Sequence, residues 1–134
     1  MHHISELKKQ TNALLFSKAN NTNISNSTVL IIDSIGILSN IYKYGNLAYI
    51  GGGFGSGIHN ILEAVAYGLP VMFGPNYQKF KEANELINKK GAISISNYTE
   101  LTSAINLYND FDKKIAIDYI YINRGATRSI IEHI

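Results

Sequence analysis

Short apolar runs alternate with longer segments of helical periodicity along most of this chain of 134 residues. The clearest runs cover residues 29–32, 47–50, 71–73 and 92–95. Apolar stretches of this length are typical of strands that are buried on both faces of a parallel sheet. Strands separated by helices predict βα units with right-handed crossovers. We therefore expect an α/β fold, with a Rossmann-like parallel sheet and helices on both faces.

The segments around these runs carry apolar residues at helical spacing. Helices are predicted at residues 4–15, 35–44, 60–67, 80–89 and 98–108, and two further stretches are predicted after residue 110. Gly68 and Gly91 mark predicted helix ends. A short strand is compatible with residues 13–17, and the Asn- and Ser-rich residues 18–28 predict a loop. Because no repeat or linker appears, residues 1–134 are predicted to form a single domain.

Composition excludes several classes of protein. Hydrophobic residues make up 46% and charged residues 16% of the chain, which is typical of a globular domain. The formal net charge of +2 is small and the basic residues occur as scattered pairs, which argues against nucleic acid. Cysteine is absent, so disulfides and thiolate chemistry are excluded. No apolar run approaches the roughly 20 residues that span a bilayer, and the sequence predicts a soluble chain.

A glycine-rich segment runs from Gly51 to His59, between a predicted strand and a predicted helix. Five of its first seven residues are glycine. Glycine lets a ligand approach the backbone closely, and the start of a helix favours a phosphate or carboxylate. In an open α/β sheet, ligands bind beyond the carboxyl ends of the strands. The position and composition of the segment therefore favour ligand binding over a simple tight connection.

Three known motifs are absent from this segment. The G-x-G-x-x-G fingerprint lacks its third glycine in every frame. The Walker motif lacks its Lys-Ser/Thr pair, since Ile58 and His59 follow Gly57. The G-x-S-x-G frame is absent, because Phe54 and Ile58 flank Ser56. These failures exclude nicotinamide and P-loop nucleotide binding, and they make a nucleophile elbow an unsuitable interpretation.

Polar residues follow on the next predicted helix. Asn60, Glu63 and Tyr67 share a helix face, and His59 lies one turn before Glu63. Asn60 and Glu63 match a capping box, but a carboxylate here also suits the vicinal hydroxyls of a ribose, and spacing leaves both open. His59 is similarly open between packing and contact with an anion. Asp33 is interpreted as a loop-capping residue at a strand end. Asp33 and His59 are the only titratable candidates for a general base near the predicted site.

Four ordered motifs carry a family resemblance. They are D-S-I-G-I-L at residues 33–38, A-Y-I-G-G-G at 48–53, G-I-H-N-I-L-E at 57–63 and G-L-P-V-M-F-G-P at 68–75. Together they resemble the C-terminal half of the 3-deoxy-D-manno-octulosonic acid (Kdo) transferases, over about residues 29–127. The resemblance implies the C-terminal half of a GT-B glycosyltransferase fold. It also implies an inverting transfer of Kdo from CMP-Kdo to lipid A precursor, without a metal or other cofactor, in lipopolysaccharide biosynthesis. The full-length enzyme would act at the cytoplasmic face of the bacterial inner membrane.

The resemblance also implies which residues contact the donor. By position, Ile35, Gly36 and Ile37 contact CMP through their backbone, and the family usually has Glu where Ile37 stands. Residues 60–63 form a second CMP segment, with Glu63 on the ribose. The predicted donor-binding set is Ile35, Gly36, Ile37, Gly53, Gly57, His59, Asn60, Ile61, Leu62 and Glu63.

The same resemblance places the acceptor-binding domain, its catalytic carboxylate and an Arg-containing CMP segment upstream of Met1. We therefore expect a nucleotide-sugar-binding domain that is truncated at its N-terminal edge, contains no catalytic residue and is inactive by itself. The expected partners are the nucleotide-sugar donor and, through the other domain, the lipid A precursor.

Two alternatives remain open. The chain is also compatible with the donor domain of another GT-B glycosyltransferase, or of a sugar-nucleotide epimerase, that uses a nucleoside diphosphate sugar. A noncatalytic α/β module that binds a partner protein is the second alternative, and it predicts no response to nucleotides.

Overall fold

The computed structural model describes residues 2–125, without the side chains of residues 2–4 and of Asp110. These residues form two compact units, the first ending at Asn40 and the second beginning at Ile41. The prediction of one domain over residues 1–134 stays a prediction.

The first unit contains one helix and a small parallel sheet. Helix α1 (His2–Thr11) is followed by β1 (Leu14–Leu15), which pairs with β2 (Leu30–Ile31). The predicted strand at residues 29–32 is therefore present but shorter. Its expected burial on both faces is wrong, because Leu30 is 42% exposed and Ile31 is only half-buried. Within this unit the strand pairs with one neighbour, and Ala13 is the one buried hydrophobic residue among those described.

The helix that was predicted over residues 35–44 is reduced to α2 (Leu38–Ile41) and a 3₁₀ turn, Tyr42–Tyr44. Gly36 explains the late start, because its φ of +87° lies in the left-handed region and cannot continue an α-helix.

The second unit is built on a three-stranded parallel sheet. Its strands are β3 (Ala48–Ile50), β4 (Val71–Phe73) and β5 (Ala92–Ser94), in the order β3-β4-β5. The register aligns Ala48 with Val71, and Ile50 with Phe73. All three strands had been predicted within a residue of their observed bounds, since their apolar runs are bounded by glycines and polar residues.

Helices cover both faces of this sheet, as predicted. Val71 and Phe73 face a core that includes residues of α3 (Leu62–Val65), α4 (Lys81–Asn88) and α6 (Lys113–Asn123). Met72 points to the opposite face and packs in a second core with α5 (Tyr98–Leu107). Because successive side chains of a strand point to opposite faces, a run of three buried apolar residues serves both layers. Each fully buried side chain of this size contributes about 1.5–3 kcal/mol.

The ends of the helices follow from local hydrogen bonds. Asn97 caps α5, since its Oδ1 accepts the N–H of Glu100 at 2.9 Å. Gly68, at φ +75°, turns the chain between α3 and β4. After α4 it is Lys90, at φ +61°, that adopts the left-handed conformation one residue before the predicted stop at Gly91.

Two predictions concern the remaining segments. Helix α6 accounts for one of the two stretches that were predicted after residue 110, and the other lies outside the described residues. Among residues 2–125, no helix is long and apolar enough to cross a membrane.

Candidate functional site

The glycine turn (residues 51–59) lies at the carboxyl end of β3 and folds back on itself. The carbonyl of Gly52 accepts the N–H groups of Gly55, at 2.8 Å, and Gly57, at 3.3 Å. The N–H of His59 donates to the carbonyl of Gly51 at 3.0 Å. Gly52 and Gly57 have φ values of +89° and +141°, which side chains rarely allow. The turn is therefore a closed loop whose shape depends on glycine.

Close backbone contact explains a third glycine of the turn. Gly53 is buried, and a Cβ atom on it would lie 2.5 Å from the backbone N of Gly74, at the end of β4. A Cβ on Gly57 would lie 3.0 Å from the Phe80 ring. Packing thus accounts for both residues without a ligand, since Gly53 meets the backbone at the end of β4 and Gly57 meets the Phe80 side chain. Their role in donor binding stays a prediction.

Asn76 holds the glycine turn against the segment that follows β4. Its N–H donates to the carbonyl of Gly53 at 2.9 Å, and its side-chain amide donates to the carbonyl of Gly55 at 2.8 Å. Sequence reasoning missed this residue. Its position directly after Gly74-Pro75 could have indicated it. The carboxyl ends of parallel strands meet at one edge of the sheet, so a residue that follows β4 lies near the turn that follows β3.

Asn60 and Glu63 lie where the glycine turn enters α3. Asn60 Oδ1 accepts the N–H of Leu62 at 3.0 Å, and Asn60 Nδ2 donates to Glu63 Oε1 at 3.1 Å. The predicted capping box is therefore wrong: the N-cap residue of α3 is Ile61, which makes no side-chain capping bond, and Glu63 binds the Asn60 side chain instead of a backbone N–H. Glu63 is exposed, and its Oε2 takes part in no hydrogen bond within the described part of the chain. The arrangement links Asn60 to the first turn of the helix and presents a carboxylate to solvent.

The start of α3 is a weaker anion site than the sequence suggested. The helix was predicted over residues 60–67 but contains only the four residues Leu62–Val65. So few peptide units sum to a small dipole, and the N–H of Leu62 is already occupied by Asn60. The carboxylate of Glu63 is therefore the more informative feature of this segment.

The other residues of the segment differ in exposure. Ile61 is fully buried, so its side chain belongs to the core and only its backbone is available to a ligand. Leu62 is 37% exposed. His59 is exposed, and its ring borders the turn, since a Cβ on Gly51 would lie 3.5 Å from His59 Cδ2. The geometry supports packing of His59 against the turn, and its contact with an anion stays a prediction.

Two tyrosines accompany Glu63. The rings of Tyr42 and Tyr67 lie 6.4 Å apart. Burial, together with the negative charge of Glu63, raises the pKa of Tyr42 above its ordinary value. Tyr67 had been placed on the face of Glu63 by its spacing, whereas Tyr42 was not connected with it. Tyr42 comes from another segment of the chain, and nothing in the helical spacing signals that proximity.

The predicted residues Ile35, Gly36 and Ile37 lie in the first unit, in an open loop before α2. The side chain of Ile35 is fully exposed, and a Cβ on Gly36 would meet no atom within 4 Å. The carbonyl of Ile37 accepts the N–H of Asn40 at 3.1 Å. The other predicted residues lie in the second unit. The contact of Ile35, Gly36 and Ile37 with CMP stays a prediction.

Asp33 also lies in the first unit, and it acts as a loop-capping residue as predicted. It accepts two hydrogen bonds from Ser17, from the hydroxyl at 2.5 Å and from the backbone N–H at 2.9 Å. The hydroxyl bond, followed by the backbone bond, lowers the pKa of Asp33. A carboxylate stabilised in its charged form in this way is a poor general base.

Within the described residues, no three His, Asp or Glu side chains come together in a metal-binding group. The expectation of a reaction without metal or cofactor is independent of that observation and stays a prediction.

Comparison with known proteins adds an independent line of evidence. No protein-family model matches the chain. Curated relatives include the 3-deoxy-D-manno-octulosonic acid transferase of Aquifex aeolicus, which is 35% identical over 92 residues. The enzyme of the same name from Chlamydia muridarum is 36% identical over 101 residues. These alignments cover 67% and 73% of the chain.

The chain is a relative of the Kdo transferases. It spans about a quarter of the length of these two relatives, 26% and 23%. The resemblance that the four motifs predicted is therefore confirmed.

A solved structure agrees with the predicted fold of a Kdo transferase. The crystal structure of the C-terminal CMP-Kdo binding domain of WaaA from Acinetobacter baumannii has a TM-score of 0.73 to this chain at 20% identity. The match covers 92% of the chain and 68% of that domain structure. The fold class, a parallel α/β sheet as in the C-terminal half of a GT-B enzyme, is confirmed.

Proposed function

We propose that this chain is the donor-binding domain of a Kdo transferase and that it binds CMP-Kdo. The observation that carries the proposal is the exposed carboxylate of Glu63, held by Asn60 directly after the glycine turn. This carboxylate lies beyond the carboxyl end of β3, where open α/β sheets bind ligands. The relation to the Kdo transferases supports CMP-Kdo as the donor.

The chemistry of Glu63 suits a ribose. A carboxylate with two oxygens accepts hydrogen bonds from two vicinal hydroxyls, and such charge-assisted bonds are stronger than neutral ones. Asn60 Nδ2 engages only Oε1 of Glu63, so that the carboxylate is oriented while Oε2 keeps its acceptor capacity. Orienting the side chain before the ligand arrives reduces the entropy that is lost on binding.

The full reaction would be an inverting transfer of Kdo from CMP-Kdo to lipid A precursor. Deprotonation of the acceptor hydroxyl needs a general base within about 2.6–3.2 Å of it. We assign that base to an acceptor-binding domain of the full-length enzyme, because Asp33 is engaged by Ser17. We further propose that the enzyme needs no metal and works at the cytoplasmic face of the inner membrane.

Nucleotide selectivity tests the proposal against the two alternatives. In ¹H–¹⁵N NMR spectra, CMP should shift the amides of Asn60 and Glu63, whereas UDP and GDP should leave them in place at the same concentration. Equal or larger shifts with UDP or GDP would favour a nucleoside diphosphate sugar donor. No response to any nucleotide would favour a partner-binding module.

A substitution tests the role of Glu63. We expect Glu63→Gln to weaken CMP binding about tenfold, because a charge-assisted hydrogen bond is lost while the shape is kept. Glu100→Gln, on α5, is the control for the loss of one carboxylate charge, since Glu100 Oε1 also accepts an asparagine amide, from Asn97 at 2.9 Å, whereas its Oε2 is already engaged by the N–H of Ser96. Isothermal titration calorimetry measures both affinities. Equal affinities for Glu63→Gln and the unmodified chain would contradict the proposal.

A further inference from the structure

A recess of about 240 Å³ lies beside the glycine turn. One wall is the tip of the turn, and the other is the segment that connects β4 with α4. The lining residues are Gly55, Ser56, Asn76, Gln78, Lys79 and Phe80. The recess is thus next to the turn that leads into Glu63, at the carboxyl edge of the sheet.

Hydrogen bonds and packing hold the walls in place. Asn76 Nδ2 donates to the carbonyl of Gly55 at 2.8 Å, which joins the two walls. Gln78 Nε2 donates to the carbonyl of Pro75 at 2.7 Å. The ring of Phe80 lies close enough to Gly57 that a Cβ there would approach it to 3.0 Å. The recess is therefore a formed feature of the second unit, which reduces the entropic cost of binding.

The recess carries a positive charge that no group among residues 2–125 balances. Lys79 is exposed and forms no ion pair within the described part of the chain. The neighbouring Lys81 differs, since its Nζ lies 3.6 Å from Glu85 Oε1. The described residues that line the recess include no carboxylate, and the hydroxyl of Ser56 offers a further donor. The lining as a whole suits an anion that also carries hydroxyl groups.

We propose that this recess binds the sugar carboxylate of the donor, with Lys79 as its counter-charge. The proposal rests on the proposed function, because the donor is then a nucleotide linked to an acidic sugar. With CMP held at Glu63, the donor spans the glycine turn, and its second anionic group reaches the cation on the other side. The carboxylate separates this donor from neutral sugars, so Lys79 determines specificity for the sugar and not for the nucleotide.

The test compares CMP with freshly prepared CMP-Kdo on three forms of the chain, the unmodified one, Lys79→Gln and Lys81→Gln. The two variants lose the same charge two residues apart, so that long-range electrostatic effects are matched. We expect Lys79→Gln to weaken CMP-Kdo binding about fivefold and to leave CMP binding within about twofold, as for an exposed ion pair. Lys81→Gln should change neither affinity by more than about twofold. CMP-Kdo should also shift the amides of Ser56 and Gln78, which CMP alone should not.

Each other outcome has a defined meaning. If the unmodified chain does not bind CMP, the proposed function fails and this proposal fails with it. If CMP binds but Lys79→Gln leaves CMP-Kdo affinity unchanged, only the assignment of Lys79 is overturned. If Lys79→Gln loses affinity for CMP and CMP-Kdo equally, Lys79 contacts the phosphate, and its assignment to the sugar carboxylate is also overturned. An unchanged ¹H–¹⁵N spectrum outside the recess shows that each variant is folded.

Discussion

Gly53 and Gly74 meet where β3 and β4 end, with their backbones in contact. A Cβ on Gly53 would lie 2.5 Å from the N and 2.7 Å from the Cα of Gly74. Gly55 differs, since a Cβ there would have ordinary contact, 3.5 Å, with the carbonyl of Gly52. The sequence alone does not distinguish Gly53 from Gly55. Only at Gly53 would a methyl group clash with the neighbouring backbone.

We therefore expect Gly53→Ala to lower the free energy of unfolding by about 1–3 kcal/mol, as for an overpacked core. Gly55→Ala should change it by less than about 0.5 kcal/mol, as for an ordinary surface substitution. Urea denaturation followed by circular dichroism measures both. Similar losses for the two variants would show that the close approach of the strand ends does not govern stability.

The carboxyl group of Asp33 gives a second prediction at this scale. The Ser17 hydroxyl is the largest cause of its lowered pKa, so Ser17→Ala should raise the pKa of Asp33 towards its ordinary value of 3.8. Because the pKa of Asp33 is lower in the folded state than in the unfolded state, the ionised carboxylate stabilises the fold at pH values above the unfolded-state pKa. This stabilisation is lost as the pH falls through the folded-state pKa. Carbon-13 NMR titration of the Asp33 carboxyl group measures the shift. An unaltered titration in the variant would contradict the assigned cause.

Helices α4 and α6 are joined by one side-chain hydrogen bond. The hydroxyl of Tyr119, a residue only 4% exposed, donates to Glu85 Oε2 at 2.6 Å. This bond is the main reason why the pKa of Glu85 is lowered. Burial is the main cause of the raised pKa of Tyr119, and the bond to Glu85 adds to it. The two helices are therefore connected by a polar contact at the margin of an apolar core.

Tyr119→Phe should lower the urea midpoint at neutral pH, because Glu85 loses its donor. The stabilisation from Glu85 is present above its ordinary pKa of 4.5 and is lost as the pH falls through the lowered value. The stabilisation from Tyr119 is present at pH values below its ordinary pKa of 10.0. It is lost only as the pH rises through the raised pKa of the folded state. The difference between the variant and the unmodified chain should therefore be constant from about pH 5 to 9 and narrow in acid.

A tyrosine on the same helix provides the control for this experiment. Tyr121 is 62% exposed and its ring packs against the guanidinium of Arg124. Tyr121→Phe keeps that ring, and its urea midpoint should be close to that of the unmodified chain. A pH-independent loss in Tyr119→Phe would show that packing, and not the bond to Glu85, had been disturbed.

At the scale of the whole molecule, the two units differ in how well their sheets are buried. The three residues of β4 are at most 2% exposed and lie between two layers of helices. In the first unit, β2 pairs with a single strand and Leu30 is 42% exposed. Burial and paired neighbours protect backbone amides from exchange with solvent.

We therefore expect amides of β4 to exchange with solvent most slowly, and those of β1 and β2 to exchange much faster. Hydrogen–deuterium exchange followed by NMR at a single pH measures both sheets in one sample. Equal protection of β2 and β4 would show that the chain opens only as a whole.

Local pattern determined much of the second unit. The apolar runs at residues 47–50, 71–73 and 92–95 correctly predicted the three strands. A continuous apolar run indicates a strand that is buried on both faces, and this pattern is local. The ordered motifs also identified the family correctly. Prediction was weaker for two helices, since α2 and α3 contain four residues each and are shorter than their helical spacing predicts. The reduced helix α2 depends on Gly36, whose left-handed φ overrides an otherwise helical spacing.

By itself, the sequence determined the α/β class, the glycine turn at a strand end and the relation to the Kdo transferases. Only the tertiary structure decided that Gly53 packs on Gly74, that Asn76 holds the turn, and that Lys79 lines a recess and forms no ion pair with another described residue. The physical reason is that periodicity and turn chemistry are local, whereas these contacts join segments that lie about 20 residues or more apart. Such contacts depend on strand register and on how closely two backbones approach. The spacing of residues along one segment predicts neither of them.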